Sequence, residues 1–298
     1  MAKSTVLRGM THDGSARVLV INSTELVNGM IRAHKTYPTA SAALGRLLTC
    51  ASMVGTMLPA EGDTLTVNIA SSGEISKLIA VADYYGCVKG YINNPYADPP
   101  RRPDGKLNVG GAIGEGSISF IKDISGKEPA IGTVELTSGE IAEDIATYFA
   151  RSEQIPTLLS LGVLINPDLT CKAAGGVLIQ LMPFPDEETV EVLERNAVKL
   201  SGLSGKIADG MTNEEIFALA CEGIEYDLFD TIEVEYRCDC ERGRMLKKIK
   251  SLGKSEILKM LDEQESEGKA RELSAVCRFC NSSYTFTEGE LLGKSAKD

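Results

Sequence analysis

Four cysteines late in the chain constrain it more than any other feature. They form two close pairs, Cys238-x-Cys240 and Cys277-x-x-Cys280, with 36 residues between the pairs. The chain holds eight cysteines in 298 residues, so half of them fall in a small C-terminal fraction of its length. Two such pairs, brought together by a small fold, can surround Zn²⁺ tetrahedrally with four thiolates. One Zn²⁺ and four thiolates carry a net −2. Arg237, Arg242, Arg244 and Arg278 stand close enough in sequence to offset it.

The run Cys-Arg-Phe-Cys-Asn at 277–281, followed by a strand, resembles half of a zinc ribbon. CxC is less usual than CxxC in such ribbons. Two thiolates one residue apart can oxidise to a disulfide in a small, strained ring, and strained disulfides are the labile ones. The residues alone therefore leave a purely structural metal site and a redox switch both open. Cys50, Cys87, Cys171 and Cys221 are isolated in sequence and read as small apolar side chains.

Net charge is −11, which counts against a general nucleic-acid binder. The excess is uneven. Residues 1–183 hold 15 basic and 17 acidic residues, 184–232 hold 3 and 12, and 233–298 hold 13 of each. Three parts follow: a core domain over 1–183, an acidic linker over 184–232 and a C-terminal metal-binding domain over 233–298. No run reaches the roughly 18 apolar residues of a membrane span. Residues 1–14 show no apolar signal-peptide segment. The expected location is the cytoplasm, where standing structural disulfides are rare.

Residues 16–22 read as a strand. Pro38 and Pro59 bracket a helix rich in Ala, Gly and Ser, whose small side chains allow close approach to a sheet. Alternation predicts a strand over 64–70, with further strands near 75–82, 86–92, 117–122 and 131–136. Thr137 and Glu140 form a capping-box pattern ahead of Ile141, Ile145, Tyr148 and Phe149, one face of a helix ending near 151–154. Residues 171–182 read as a strand with a glycine hinge. Asp186 and the neighbouring acids open a linker helix striped by Val190, Leu193, Ala197 and Leu200, and Thr212 with Glu215 caps a second. That stripe packs most simply on the first domain. Strand residues Ile232, Val234 and Tyr236 open the last part, followed by helices over 241–250 and 255–264, a turn at 281–283 and a strand over 284–286. Strands and helices mix without regular alternation, so the fold class is α+β: a mixed sheet-and-helix core, a helical linker and a small C-terminal zinc-binding domain.

Enzyme motifs are missing. Gly253-Lys254-Ser255 and Gly293-Lys294-Ser295 lack the earlier P-loop glycine, since Lys248 and Glu288 occupy its place. Gly110–Gly116 does not have dinucleotide-binding spacing and reads as a tight connection between strands. No GxSxG elbow occurs. His12 and His34 are the only histidines, and His34, between basic neighbours, reads as a surface or capping residue. Glu140, Glu143 and Asp144 suit a helix cap better than acid–base catalysis. The expectation is therefore a non-enzyme, with no catalytic residues and no cofactor-binding residues beyond the cysteines. Two other readings of the cysteines compete. A zinc-ribbon nucleic-acid binder is opposed by the charge. A thiol–disulfide oxidoreductase needs its CxxC at a helix start, whereas this CxxC precedes a turn and strand.

The ordered motifs resemble the Hsp33 family, redox-regulated bacterial holdase chaperones. The segment from Arg32 through Tyr37, Pro38 and Arg46 is similar to the family's early helix. Gly90-Tyr-Ile-Asn-Asn-Pro95 and Gly114-Glu-Gly-Ser resemble its core turns. Ser138 through Gln154, Ala174 through Gln180 and Ser251-Leu-Gly-Lys follow in order, so the resemblance runs from about 16 to 292. The stretch 262–274 is a few residues longer than the family pattern, an insertion surface loops tolerate. The resemblance implies one Zn²⁺ per chain, held in the reduced state by Cys238, Cys240, Cys277 and Cys280. It implies oxidation to Cys238–Cys240 and Cys277–Cys280 disulfides with zinc release. Unfolding of the switch and linker then exposes apolar surface to unfolding client proteins, without ATP. It further implies a homodimer when oxidised and hand-off of clients to an ATP-driven chaperone, with neither nucleic acid nor membrane as a partner.

Overall fold

Helix-forming residues with almost no large polar side chains cannot sit at a surface; they need cover on all sides. Pro38–Gly55 is such a segment, and every residue in it except Pro38 and Arg46 is buried. A computed structural model describes residues 3–293 of the chain and places this helix between two sheets. Its hydroxyls are satisfied inside: Ser52 Oγ donates to Gly86 O at 2.6 Å and Thr49 Oγ1 to Gly45 O at 2.7 Å. Glycine is required at Gly55, where a Cβ would lie 2.8 Å from both Ala82 Cβ and Asp83 O.

In chain order the first unit comprises β1 (Ser4–Thr11), β2 (Ala16–Asn22), α1 (Thr24–His34) and α2 (Pro38–Gly55). Next come β3 (Thr64–Ser71), β4 (Lys77–Asp83), β5 (Val88–Ile92), α3 (Val109–Ile113), β6 (Gly116–Asp123) and β7 (Ala130–Glu135). After them follow α4 (Ala142–Tyr148), with a π-helical turn over Phe149–Glu153, then β8 (Thr157–Ile165) and β9 (Cys171–Leu181). The linker region gives α5 (Glu187–Ala197), α6 (Leu203–Ala208) and α7 (Asn213–Ala220), and β10 (Tyr226–Val234) closes the unit. Both sheets are antiparallel and five-stranded, ordered β10-β1-β2-β9-β8 and β5-β4-β3-β6-β7. This is the α+β class.

The main core lies around α2. A second core covers the other face of the first sheet, where Val18, Val20, Val177 and Ile179 meet Leu193, Leu200, Leu203, Ile207, Ile216 and Phe217 from the linker helices. Leu193 and Leu200 of the expected stripe are buried there. Asp186 caps α5 by accepting from Thr189 N–H at 3.0 Å, and Thr212 and Glu215 form the reciprocal cap of α7.

Several local expectations need correction. The cap of α4 is not Thr137 with Glu140. Asp144, wholly buried, turns back from the helix and accepts from the N–H groups of Thr137 (2.7 Å), Ser138 (2.9 Å), Gly139 (3.2 Å) and Ile141 (2.8 Å). It thereby holds Ile141 at φ +73°, a region that branched side chains rarely enter. Glu140 instead binds Arg46 at 2.7 Å. The glycines at 110–114 are not a bare strand connection: they form the turn of α3, capped by Asn108 accepting from Gly111 N–H at 3.0 Å. His34 is buried rather than at the surface, with Nε2 2.8 Å from Tyr236 Oη. The strand read from Ile232 begins at Tyr226 and pairs along β1, so the chain divides into compact units after Arg237. Lys294 and Ser295, part of the second P-loop-like run, lie outside the described residues.

The second unit, from Cys238, contains α8 (Arg242–Lys250), α9 (Lys254–Ser266), β11 (Glu272–Val276), β12 (Ser283–Thr287) and α10 (Glu288–Leu292). β11 and β12 form an antiparallel hairpin. Its apolar core is small: Ile257, Leu261, Leu273, Phe286 and Leu291, flanked by half-buried neighbours. The long segment over 262–274 is the end of α9 and the start of β11. Arg271 ties it down, binding Asp262 at 2.7 Å and Glu288 at 3.0 Å.

Candidate metal centre

The β11–β12 hairpin builds half of the cysteine site. Cys277 follows β11 directly, and Cys280 stands three residues before β12. Two backbone bonds close this turn, Asn281 N–H to Cys277 O at 2.8 Å and Cys277 N–H to Ser282 O at 2.9 Å. Asn281 takes φ +56°, a conformation that asparagine tolerates. Cys238 and Cys240 come from the extended segment ahead of α8. The four Sγ atoms lie within 4.8 Å of one another. Cys238 Sγ is 3.7 Å from Cys277 Sγ, and Cys240 Sγ is 3.2 Å from Cys280 Sγ.

These spacings fit a tetrahedral metal ion. A Zn–S bond of about 2.3 Å sets sulfurs about 3.8 Å apart at the corners of a tetrahedron. The two measured contacts and the 4.8 Å limit bracket that value. Among the described residues this is the one group of three or more such side chains close enough to share a metal ion. Cys277 is buried and the other three are half-buried, so the sulfurs are shielded without being sealed.

Tyr284 completes the site, and sequence reasoning missed it. Its hydroxyl lies 3.2 Å from Cys240 Sγ and donates to Cys240 O at 3.2 Å. The signal was its place at the start of the strand after the second pair, where the hairpin returns toward the cysteines. Ser282 Oγ is 3.2 Å from Cys280 Sγ. As free thiols, Cys238 and Cys240 are pushed up first by burial. Burial pushes Cys280 up as well, but the Ser282 hydroxyl and N–H, together with the Cys240 and Cys238 side chains, outweigh it and bring the thiol down to about 7.

The expected offset by four arginines is only partly realised. Arg242 binds Glu290 at 2.7 Å and lies over the Phe286 ring, while Arg244 binds Asp239 at 2.7 Å. Arg237 belongs to the first unit and binds Asp83 at 2.8 Å. Nearby carboxylates claim these three cations, although Arg244 still lies close enough to Cys238 to interact with its charge. Cys50, Cys171 and Cys221 are buried, and burial pushes each thiol up to about 12, as inert core thiols require. Cys87 is pushed up by burial too. The CxxC pair sits in a hairpin turn and not at a helix start, which removes the geometry that activates a dithiol oxidoreductase. Among the described residues, no helix is long and apolar enough to cross a membrane.

Known proteins resemble the whole of this architecture. The family model described as Hsp33 protein matches residues 4–287. The 33 kDa chaperonin of Clostridium beijerinckii is 41% identical over 297 residues, covering 98% of this chain and 99% of its own length. That of Clostridium tetani is 42% identical over 291 residues, covering 96% and 97%. A crystal structure of the 33 kDa chaperonin of Thermotoga maritima superposes with a TM-score of 0.89 at 32% identity, covering 98% of this chain and 97% of that one. With the family model spanning nearly all of the chain and the relatives matching end to end, this protein belongs to the Hsp33 family of chaperones.

Proposed function

We propose that the chain is an ATP-independent holdase, activated by oxidation of its four clustered cysteines. The observation that carries the reading is the convergence of four sulfurs in a unit with so small an apolar core. Five buried apolar side chains contribute on the order of 2 kcal/mol each. A structural zinc site contributes on the order of 10 kcal/mol. The two are comparable, so order in this unit depends on the sulfur ligands as much as on its core.

In the reduced state Cys238, Cys240, Cys277 and Cys280 hold one Zn²⁺, which cross-links the hairpin turn to the segment ahead of α8. One hydrogen peroxide per pair then takes two electrons from the pair's two thiolates and two protons from solvent and is reduced to two waters, releasing Zn²⁺ to solvent. Cys238–Cys240 and Cys277–Cys280 disulfides form, and disulfide sulfurs are no longer thiolate ligands. The switch, 233–298, loses order beyond Arg237, and the linker, 184–232, follows through its three helices, while the core, 1–183, stays folded and keeps β10 paired to β1. This uncovers the apolar surface now shared by the linker helices and the first sheet, including Phe217, Ile216, Val18 and Val177. Unfolding clients bind there in the cytoplasm. Oxidised chains pair as homodimers, and reduction returns clients to an ATP-driven chaperone.

The test is light scattering from a client protein that unfolds on heating. The reduced, zinc-loaded protein should leave aggregation unchanged, and the peroxide-treated protein should suppress it, reversibly with a thiol reductant. Equal suppression in both states removes the switch. No suppression in either state refutes the holdase.

A further inference from the structure

The hydrogen bonds around Arg46 leave positive charge over. Its guanidinium donates to Glu140 through Nη1 at 2.7 Å, while its buried Nε has no hydrogen-bond partner. Native interiors rarely leave such a donor unmet, and each case calls for a cause. Glu140 is already shared, since Arg102 approaches it at 3.3 Å and the Gly110 N–H donates to it. Asp104 stands 3.7 Å from Arg102 and 3.8 Å from Lys106. Arg101 donates to Gly105 O at 3.2 Å and, among the described residues, has no carboxylate partner. Four cations thus share two carboxylates, in a chain whose net charge is −11.

This excess faces a groove of about 690 Å³, within the range of roughly 300–1,000 Å³ common to small-molecule sites. Among the described residues, the charged groups bordering it are Arg46, Arg101 and Lys106, from α2 and the loop ahead of α3. β8, the turn after it and the start of α6 line the groove without a charge, through Leu161, Val163, Ile165 and Leu203 among others. The acid in that turn, Asp168, is turned onto Thr170, accepting from its N–H at 3.0 Å and its hydroxyl at 2.6 Å. Leu169 beside it takes φ +69°, which bulky side chains rarely adopt, and borders the groove 38% exposed. One wall is therefore cationic and another apolar. Part of the apolar wall belongs to the linker. α6 closes on β8 at Gly162, where a Cβ would lie 2.8 Å from Ser204 N, and Gly202, Leu203 and Ser204 all border the groove. The site is whole only while the linker is docked.

We propose that this groove binds a single-chain amphiphile with an anionic headgroup, a medium-chain carboxylate in the simplest case, and that the bound amphiphile holds the linker against the first sheet. The three cations take the carboxylate, and the side chains of β8 and α6 take the apolar chain. Release of the linker removes part of the site. A ligand that binds only the docked form disfavours release by the factor 1 + [L]/Kd, about a hundredfold at a hundred times its dissociation constant. The groove then adds a second restraint to the zinc-held state and reinforces redox control. This coupling rests on the linker release proposed above, whereas binding itself does not.

Isothermal titration of decanoate into the full-length, reduced, zinc-loaded protein should show saturable binding of one equivalent. Decanol, with the chain but no charge, and acetate, with the charge but no chain, should each bind about tenfold more weakly or worse. Decanoate should lose as much on Arg101→Glu combined with Lys106→Glu, both at exposed positions that leave the fold intact. Decanol binding as tightly as decanoate overturns the role of the cations, and acetate binding as tightly overturns the apolar wall. Undiminished binding to the double variant overturns the site. With decanoate at a hundred times its dissociation constant, amides of 184–232 that exchange through linker release should exchange up to about a hundredfold more slowly. Unchanged exchange despite binding overturns the coupling. Neither readout uses client aggregation, so a failed holdase assay beside a bound ligand and a protected linker would sink the holdase reading and leave this site standing; the converse result would sink only this site.

Discussion

Asp144→Ala should be among the most damaging single changes in the first unit, although it deletes only a short side chain. The carboxylate accepts four backbone N–H groups. Two belong to exposed residues, Thr137 and Ser138, whose N–H groups water can reach once the carboxylate is gone. Two belong to buried residues, Gly139 and Ile141, and are left without a partner. A buried unsatisfied donor costs about 1–3 kcal/mol, so the pair costs about 4 kcal/mol. Relaxation of Ile141 from φ +73° returns about 1 kcal/mol at most, and only if that fully buried side chain can move. Asp144→Asn keeps Oδ1 for three donors and turns an NH₂ group on Ile141 N–H, at a cost of about 2 kcal/mol. Urea unfolding followed by far-ultraviolet circular dichroism should give losses of about 4 kcal/mol for Ala and about 2 kcal/mol for Asn, with zinc content unchanged. A loss below about 1 kcal/mol for Ala, or equal losses for the two variants, would refute the donor accounting.

Cys277→Ser should reduce bound zinc from one equivalent to well below it, and amide exchange should accelerate across the second unit while the first stays protected; retention of stoichiometric zinc would refute the ligand assignment. Digestion and mass mapping after peroxide should find Cys238–Cys240 and Cys277–Cys280 pairs. Two sulfur contacts in this structure join the two motifs instead, at 3.7 and 3.2 Å, so mixed pairs would show that oxidation traps the folded arrangement. The hydrogen bond to Asp227, 2.9 Å away, raises His12 above 6.5, so this contact stabilises the fold below pH 6.5 and is lost as pH rises through the raised value. With only two histidines in the chain, proton NMR should resolve the titration of His12, and Asp227→Asn should return it toward 6.5; an unchanged midpoint would discount the pair.

The metal-binding motif was legible because ligand spacing is a local property and thiolates have few other reasons to cluster. Strands β3 to β7 were legible from alternation. β8 escaped because its apolar run is continuous, and such runs do not distinguish strand from buried helix. β1 escaped because its pattern is broken by Arg8 and Gly9, although it pairs with the neighbouring β2 as well as with the distant β10. The cap on α4 was misread since Thr137 and Glu140 match the pattern in sequence, yet the loop carries the chain so that Asp144 reaches the same donors first. Tyr284 and Ser282 at the sulfurs depend on how the hairpin closes, which no spacing rule encodes.

The linker helices are bracketed by β9 and β10, two members of one sheet separated by β1 and β2. Residues 182–225 therefore form a loop pinned at both feet, about 15 Å apart at the spacing of adjacent strands. Detached from the sheet, such a loop reaches out no more than about 70 Å before it must turn back. Its closure entropy is already spent while both feet hold, so re-docking needs no search for the chain's own ends. The eight register pairs that fasten β10 to β1 thus set a mechanical limit on the molecule, a leash whose length is fixed by the sheet rather than by the switch.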